Sequence, residues 1–369
     1  MEYDVKAIAE NFNLEGKLTG SEPFGSGHIN DTYSLTCEQD GRQLHYILQR
    51  INHRVFKNPP AMMENIRRVT SHIRRKMQER KDKLAPRQLV VIAAKDGSDF
   101  FLDDRGNYWR IYNRIENAFT YDTIESPELA YEAARMFGRF AALLTDLPGP
   151  PLHETIVDFH TTPKRFKAFM EVLQQDPCNR AKDAGAEIDF VLENAGICDV
   201  LTNLAGSGEI RIRTTHNDTK INNVLLDAKT HEGVCVIDLD TVMPGLSLYD
   251  FGDMVRTATN PAEEDERDLS KVTMRMPIFE MLLKGFAEET HTFLRPAEKK
   301  NLVFAGKLIT FEQMIRFLAD HLAGDAYYKI HRENHNLDRS RTQMKMVQSI
   351  TAQQEQMNAL AASVFQELS

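Results

Sequence analysis

The strongest chemical signal in this chain is His216-Asn217-Asp218-Thr219-Lys220-Ile221-Asn222-Asn223, followed fifteen residues later by Asp238 at the end of the apolar run Val234-Cys235-Val236-Ile237. The spacing His-x-Asp-x-x-x-x-Asn, then a strand ending in Asp, suits phosphoryl transfer. That reaction demands positioning and charge neutralisation more than covalent chemistry. One carboxylate must meet the attacking hydroxyl and take its proton. A second carboxylate and an amide oxygen must hold Mg2+, a hard ion that prefers oxygen ligands in octahedral geometry. Asp218 suits the first task, and Asn223 and Asp238 suit the second. Lys220 lies on the same side as Asp218 if the loop is extended, where it can neutralise charge growing on the γ-phosphoryl oxygens. His216 reads as a brace for the loop. Asp250, in Leu248-Tyr249-Asp250-Phe251-Gly252-Asp253, either anchors that loop through backbone donors or caps a helix.

A second element is Phe24-Gly25-Ser26-Gly27-His28-Ile29-Asn30-Asp31-Thr32-Tyr33. Gly25 and Gly27 free the backbone to approach phosphates. No Gly-Lys-Ser/Thr follows, so this is not a Walker A loop. A strand follows rather than a helix, which excludes the dinucleotide-binding fingerprint. A glycine-rich turn inside an N-terminal sheet fits a lid over a nucleotide. Gly25, Gly27, His28 and Asn30 are therefore expected at the nucleotide.

These residues need a scaffold. Residues 4–13 read as a short helix. Tyr33–Cys37 and Leu44–Ile51 read as adjacent antiparallel strands around Gly41. Met62, Ile66, Val69 and Ile73 recur at helical spacing over 59–80, behind Pro59-Pro60. Strands follow at 89–93, 100–103 and 108–115. From about residue 127 the pattern is mainly helical, over 128–144, 163–174 and 186–204, with a strand-rich island at 210–242 and helices from 250 onward. The expected fold is α+β and two-lobed: a small antiparallel-sheet lobe over 1–116 and a larger, mainly helical lobe over 117–369.

The bulk properties exclude other classes. A net charge of −9 argues against a nucleic-acid partner. The basic clusters Arg67-Arg68 and Arg74-Arg75-Lys76 sit in a helical pattern beside Glu64 and Glu79, as a solvated helix face does. Cys37, Cys178, Cys198 and Cys235 show no metal or redox spacing. Met1-Glu2-Tyr3-Asp4 does not open a signal peptide, and no segment reaches ~18 uninterrupted apolar residues, so no membrane partner is expected. The expectation is a cytoplasmic protein, a monomer or weak dimer.

With these motifs in hand, the chain resembles the aminoglycoside phosphotransferase and choline kinase group, which has a protein-kinase-like two-lobed fold. It is most similar to the N-acetylhexosamine 1-kinases. Gly27-His28-Ile29-Asn30, Tyr46-Ile47-Leu48-Gln49, Trp109-Arg110-Ile111-Tyr112 and 216–223 carry the match. So do Ile237-Asp238-Leu239-Asp240-Thr241, Met243-Pro244-Gly245, Asp250-Phe251-Gly252-Asp253, Arg316–Asp320 and Arg341-Thr342-Gln343. The resemblance implies ATP, Mg2+ and a sugar phosphorylated at its anomeric hydroxyl. It implies that Arg316 and Tyr327 lie near the sugar. Taken alone, Arg316 equally suits a surface ion pair and Tyr327 a core aromatic.

One departure stands out. The strand after the glycine-rich loop reads Leu48-Gln49-Arg50, where related kinases carry a lysine for the nucleotide phosphates. Either Arg50 supplies the charge or Gln49 takes the position with neutral hydrogen bonds; adjacent strand residues face opposite ways, so only one enters the cleft. Glu64 is a candidate partner for Arg50 or an ordinary exposed helix residue. The nucleotide base is expected near Arg114–Asn117. Competing acceptors are choline or ethanolamine, homoserine, methylthioribose or an aminoglycoside. A pseudokinase-like binding protein is the alternative of another class, favoured only by the missing lysine.

Overall fold

Strand alternation builds the small lobe. Midway along Asp31–Gln39 and Arg42–Ile51, the alternate side chains Leu35 and Cys37, and Tyr46 and Leu48, are buried on one face. Asp40 and Gly41 join the two strands with positive φ at both positions, as a tight hairpin turn requires. The computed structural model describes residues 3–25 and 29–368, so Gly27 and His28 of the glycine-rich turn lie outside the described residues. The small-lobe strands are β1 (Lys17–Pro23), β2 (Asp31–Gln39), β3 (Arg42–Ile51), β4 (Val91–Ile92), β5 (Phe101–Leu102) and β6 (Tyr108–Asn113). They pair antiparallel in the order β1-β2-β3-β6-β4, with β5 on β6.

Strand β1 was not expected from the sequence. It is a largely exposed edge with no apolar alternation, and only its ladder to β2 defines it. Helix α1 is shorter than the 4–13 pattern, spanning Val5–Ala9, because Phe12 turns aside to bridge Ala94. Helix α2 (Pro59–Glu79) starts at Asn58, whose side chain accepts the Ala61 N–H, and it buries Met62, Ile66, Val69 and Ile73 as their spacing predicts.

The large lobe begins with β7 (Ala118–Phe119) and α3 (Pro127–Leu143), then α4 (Thr162–Gln175), α5 (Gly185–Glu193) and α6 (Val200–Gly206). The single helix expected over 186–204 is thus two helices. Asn194 and Gly196, both weak helix formers, sit at the break around the 3-10 turn Ala195–Ile197. The strand-rich island holds β8 (Ile212–Thr215), β9 (Val224–Asp227), β10 (Gly233–Val236) and β11 (Met243–Leu246). It forms two small sheets, β10-β9-β7 and β11-β8. Helices α7 (Ser247–Ala258), α8 (Met276–Thr290), α9 (Pro296–Lys300), α10 (Leu302–Leu322) and α11 (His335–Glu367) complete the chain. The main core joins α2 and α3 to α7, α8 and the C-terminal helices, so the strands flanking the 216–223 loop rest on a rigid base. The fold is a two-lobed α+β architecture, 49% helix and 15% strand.

Within the basic clusters on α2, Arg67, Arg68, Arg75 and Lys76 meet partners in the protein itself. Arg67 pairs with Asp99, Lys76 with Asp146, and Arg68 donates to the carbonyls of Pro148 and Pro150. All four cysteines are free; Cys178 is exposed and the other three are buried. Among the described residues no helix is long and apolar enough to cross a membrane.

Candidate active site

Strands β8 and β11 pair from Thr215↔Met243 to Ile212↔Leu246 and form the floor of the site. Beyond Thr215 the backbone becomes irregular while staying largely buried, so its donors need partners. Asp250, in the first turn of α7, supplies them: its carboxylate accepts the N–H groups of His216 at 3.0 Å and Asn217 at 2.7 Å. Asp253, one turn on, accepts the Thr219 N–H at 3.0 Å. Of the two sequence readings, Asp250 is therefore the loop anchor; the N-cap position of α7 is Leu246. Asn217 takes a positive φ of 65°, a conformation asparagine tolerates, and its Nδ2 donates to the Thr241 carbonyl at 2.9 Å.

His216 stands edge-on between the rings of Phe137 and Phe140. Its Nε2–H donates to the Ile237 carbonyl at 2.9 Å, while its Nδ1 accepts the Asp218 N–H at 3.3 Å. It ties the loop to the strand that leads to Asp238 and takes the bracing position. Gly245 on β11 lies so close beneath the loop that a Cβ there would sit 2.3 Å from Thr215 Oγ1 and 2.7 Å from Asn217 Oδ1.

The loop presents a compact polar group. Lys220 Nζ lies 3.2 Å from Asp218 Oδ1. Asn223, in the one-turn 3-10 helix Ile221–Asn223, donates from Nδ2 to the Asp218 carbonyl at 2.8 Å and to Oδ2 at 3.3 Å. Burial alone would raise the Asp218 pKa. Lys220, His216 and Arg256 outweigh it and hold the carboxyl below its ordinary value. Lys220 is raised in turn, chiefly by Asp218.

Asp238 behaves in the opposite sense. It reaches cleft water, yet the protein around it and the neighbouring carboxylates of Asp240 and Asp218 push its pKa up to about 7. Its backbone sits at φ 60°, ψ 60°, a left-handed conformation that costs free energy in a non-glycine residue. A strained carboxylate crowded by its own kind is a place for a cation. Among the described residues no three His, Cys, Asp or Glu side chains cluster as a ready-made metal cage. Mg2+ does not need one: it is commonly held by one or two protein oxygens, with phosphate and water completing the octahedron. One carboxylate and an amide oxygen fit that pattern. The amide is turned so that its Nδ2 faces Asp218, leaving Oδ1 on the other side.

The small lobe meets this group across the cleft. Gln49 on β3 pairs in register with Arg110 on β6, so both point to the same face of the sheet. Gln49 Oε1 accepts from Arg110 Nε at 3.0 Å and Nη2 at 2.8 Å, and its Nε2 donates to Thr32 Oγ1. Arg110 in turn forms a buried ion pair with Asp240. Asn30 Nδ2 reaches the other oxygen of Asp240 at 2.7 Å. Arg50 must be corrected as a candidate for the nucleotide phosphates: strand parity turns it to the opposite face, where it pairs with Asp31 at 2.6 Å and lies over the Tyr3 ring. Glu64 is not its partner; it meets His153 at 3.0 Å. Gly25 precedes the undescribed stretch with φ 78°.

Residues 21–271 match the phosphotransferase enzyme family, well over half of the chain. The chain belongs to the phosphotransferase enzyme family. Solved structures agree on the fold. An aminoglycoside phosphotransferase from Alicyclobacillus acidocaldarius subsp. acidocaldarius DSM 446 superposes with a TM-score of 0.57 at 13% identity, over 100% of this chain and 97% of that one. Spectinomycin phosphotransferase, solved with ADP and spectinomycin, gives 0.56 at 11% identity over 95% and 97%. Choline kinase from Cryptosporidium parvum Iowa II gives 0.51 at 12% identity over 94% and 93%.

In this phosphotransferase the large-lobe wall beside Asp218 is built by α10 and the segment before α4. His160 meets the Asn217 carbonyl at 3.0 Å through Nε2 and Glu312 at 2.8 Å through Nδ1. The neighbouring Phe159 ring lies under the Arg316 guanidinium, 5.2 Å from centroid to Cζ, and Arg316 also covers the Tyr328 ring at 5.8 Å. Among the described residues, Arg316 Nη1 donates to the neutral Gln313 at 3.1 Å and forms no ion pair. Arg316 is therefore no surface ion pair. Tyr327 follows α10 rather than lying on it, is 65% exposed, and stacks edge-on against Tyr328; it is not a core aromatic. The acids nearby are engaged: Glu264 by Arg256, Glu312 by His160, and Asp320 by the N–H groups of Tyr327 and Tyr328.

Sequence reasoning gave no role to Arg110, Asp240, His160, Asp253 or Arg256. Arg110 and Asp240 carried a signal, an arginine inside an apolar strand and a second acid two residues after Asp238. His160 and Glu312 are far apart in sequence and carried none.

Proposed function

We propose that the protein transfers the γ-phosphoryl group of Mg2+-bound ATP to the anomeric hydroxyl of an N-acetylhexosamine, with residues 1–116 as the nucleotide lobe and 117–369 as the catalytic lobe. It is a small-molecule phosphotransferase by family, and its hydroxyl acceptor is the open part of that assignment. Asp218 orients the acceptor hydroxyl and takes its proton; its lowered pKa keeps it ionised at neutral pH. Lys220, 3.2 Å away, offsets negative charge on the group in transit. Asn223 and Asp238 would hold Mg2+, which when bound neutralises phosphate charge and orients the nucleotide. Gln49 and Asn30 line the small-lobe side of the nucleotide site, and Gly25, Gly27 and His28 are assigned to the nucleotide by their motif. Arg316 and Tyr327 contact the sugar.

The observation that carries the acceptor reading is the state of the wall beside Asp218. A polycationic aminoglycoside needs free carboxylates, but Glu264, Glu312 and Asp320 are bonded within the protein. A choline headgroup is best held by a cage of several aromatic faces, but Arg316 already covers Tyr328 and sets its own positive charge beside the exposed Tyr327 ring. What the wall offers is arginine and tyrosine donors, suited to a neutral polyhydroxylated molecule bearing a carbonyl. The motif resemblance names the N-acetylhexosamines within that class. A panel of acceptors with Mg2+ and ATP, read by ADP release and by phosphorus NMR of the product, tests it. N-acetylglucosamine or N-acetylgalactosamine should yield a sugar 1-phosphate. Turnover on an aminoglycoside or choline, with none on amino sugars, would sink the reading.

A further inference from the structure

Two small-lobe side chains from separate segments converge on one large-lobe carboxylate, and a third braces one of them. Asn30 from the glycine-rich segment donates to Asp240 Oδ2 at 2.7 Å. Arg110 from β6 forms an ion pair with Oδ1, and Gln49 from β3 holds the Arg110 guanidinium from the other side. Arg110 and Asp240 are 1% and 3% exposed. Asp240 sits in the one-turn 3-10 helix Leu239–Thr241, directly after the strained turn at Asp238. The next residue, Thr241, is tied to the catalytic loop: its Oγ1 donates to the His216 carbonyl at 2.7 Å and its carbonyl accepts from Asn217. Asn30 also accepts the Asn52 N–H at 2.9 Å, so the glycine-rich segment, the end of β3 and Asp240 form one chain of contacts.

Such an arrangement passes the position of one lobe to the other. A guanidinium is planar and offers donors in a fixed fork, so two anchors, Gln49 and Asp240, fix its orientation. A lysine on β3 could not do this, because an ammonium is a flexible point charge. The glutamine on β3 and the arginine on β6 are therefore one device.

We propose that Asp240 and Arg110 form an interlobe clasp that sets the Asp238 turn for the nucleotide, making both of them positioning residues. The clasp stands in for the missing β3 lysine. It rests on the reading that Asp238 serves the metal-bound nucleotide. Partners of this outer kind typically change metal affinity or activity about 10–100-fold when removed.

The test compares the wild type with Arg110→Met/Asp240→Asn, which leaves no lone buried charge, and with the conservative Arg110→Lys. Two readouts are taken. The first needs no ligand: amide hydrogen exchange across 237–241 and 29–31. The clasp predicts faster exchange at both segments in the double variant, with the helices of the large lobe unchanged. The second is calorimetric affinity for ADP with Mg2+, together with the steady-state constants. The clasp predicts a loss of about tenfold or more in Mg2+-ADP affinity and in kcat, acceptor KM within about twofold, and partial recovery in Arg110→Lys. Unchanged exchange at 237–241, or unchanged Mg2+-ADP affinity in a folded double variant, overturns the proposal. If the double variant does not fold, Arg110→Lys decides: a smaller loss in the same direction supports the clasp, and wild-type exchange or affinity overturns it. Wild-type protein that binds no ADP would instead defeat the kinase reading, while the exchange result would still decide the clasp.

Discussion

Asp250 Oδ1 accepts the backbone N–H of Asn217 at 2.7 Å, across thirty-three positions of sequence. With Oδ2 on His216 N–H, one carboxylate on α7 fixes two consecutive peptide groups directly before Asp218. Asp250→Asn leaves one acceptor oxygen for two donors. A buried N–H then loses its partner, at a cost of about 1–3 kcal/mol. The expected outcome is a lower melting temperature together with a fall in kcat larger than that in nucleotide affinity. A variant of full activity would show that the loop holds its shape without this anchor.

Asp218→Asn removes the group assigned to the acceptor hydroxyl but keeps its size. Turnover should fall by about 10²–10⁴, while the melting temperature and ADP affinity stay close to wild type. Rates from purified protein against a mock-purified background check this. Retained turnover would transfer the role to another residue.

Gly245→Ala tests the close approach of β11 to the loop. The new methyl meets Thr215 Oγ1 and Asn217 Oδ1, both already bonded to neighbouring backbone or to each other. Overpacking of this kind typically costs about 1–3 kcal/mol. Because the displaced groups adjoin Asp218, kcat should fall as well, with KM for ATP the less affected constant. A melting curve and a rate series on one preparation separate the two effects.

The His160–Glu312 pair makes stability depend on pH. Burial works against a charged His160, but Glu312 and the Asn217 carbonyl outweigh it and hold its pKa above the ordinary value. Burial also works against a charged Glu312, and His160 outweighs it and holds that pKa below the ordinary value. The histidine contribution is therefore complete below about pH 6.5, its unfolded value, and is lost as pH rises through the raised folded value. The glutamate contribution is present above about pH 4.3 and is lost as pH falls through the lowered folded value. The melting-temperature gap between wild type and His160→Gln should be widest between those two ordinary values and shrink toward alkaline pH. A gap that is constant from pH 5 to 9 would show that the pair is not ionic.

Much of the site was legible because it is local. Asp218, Lys220 and Asn223 share one loop, and a single stretch of polar residues between apolar strands is enough to expose it. Asp238 was legible because a strand must end where its apolar run ends. Helix α2 followed from four apolar residues at helical spacing. Strand β1 did not, since an exposed edge strand takes its structure from the neighbour it pairs with and not from its own pattern.

The choice between Gln49 and Arg50 shows where sequence reasoning stops. Parity alone says that one faces the cleft and the other does not. Which one does depends on the packing of α1 and Trp109 against one face of the sheet and of α2 against the other. The same holds for Asp240 with Arg110, and for His160 with Glu312, separated by 130 and 152 positions. By itself the sequence determined the groups available: a carboxylate, a cation, an amide and a second carboxylate in one order along the chain. Only the tertiary structure decided which charges are buried together and which carboxylates are already bonded within the protein. Electrostatic partnership depends on distance in space, and distance between residues remote in sequence is set by packing.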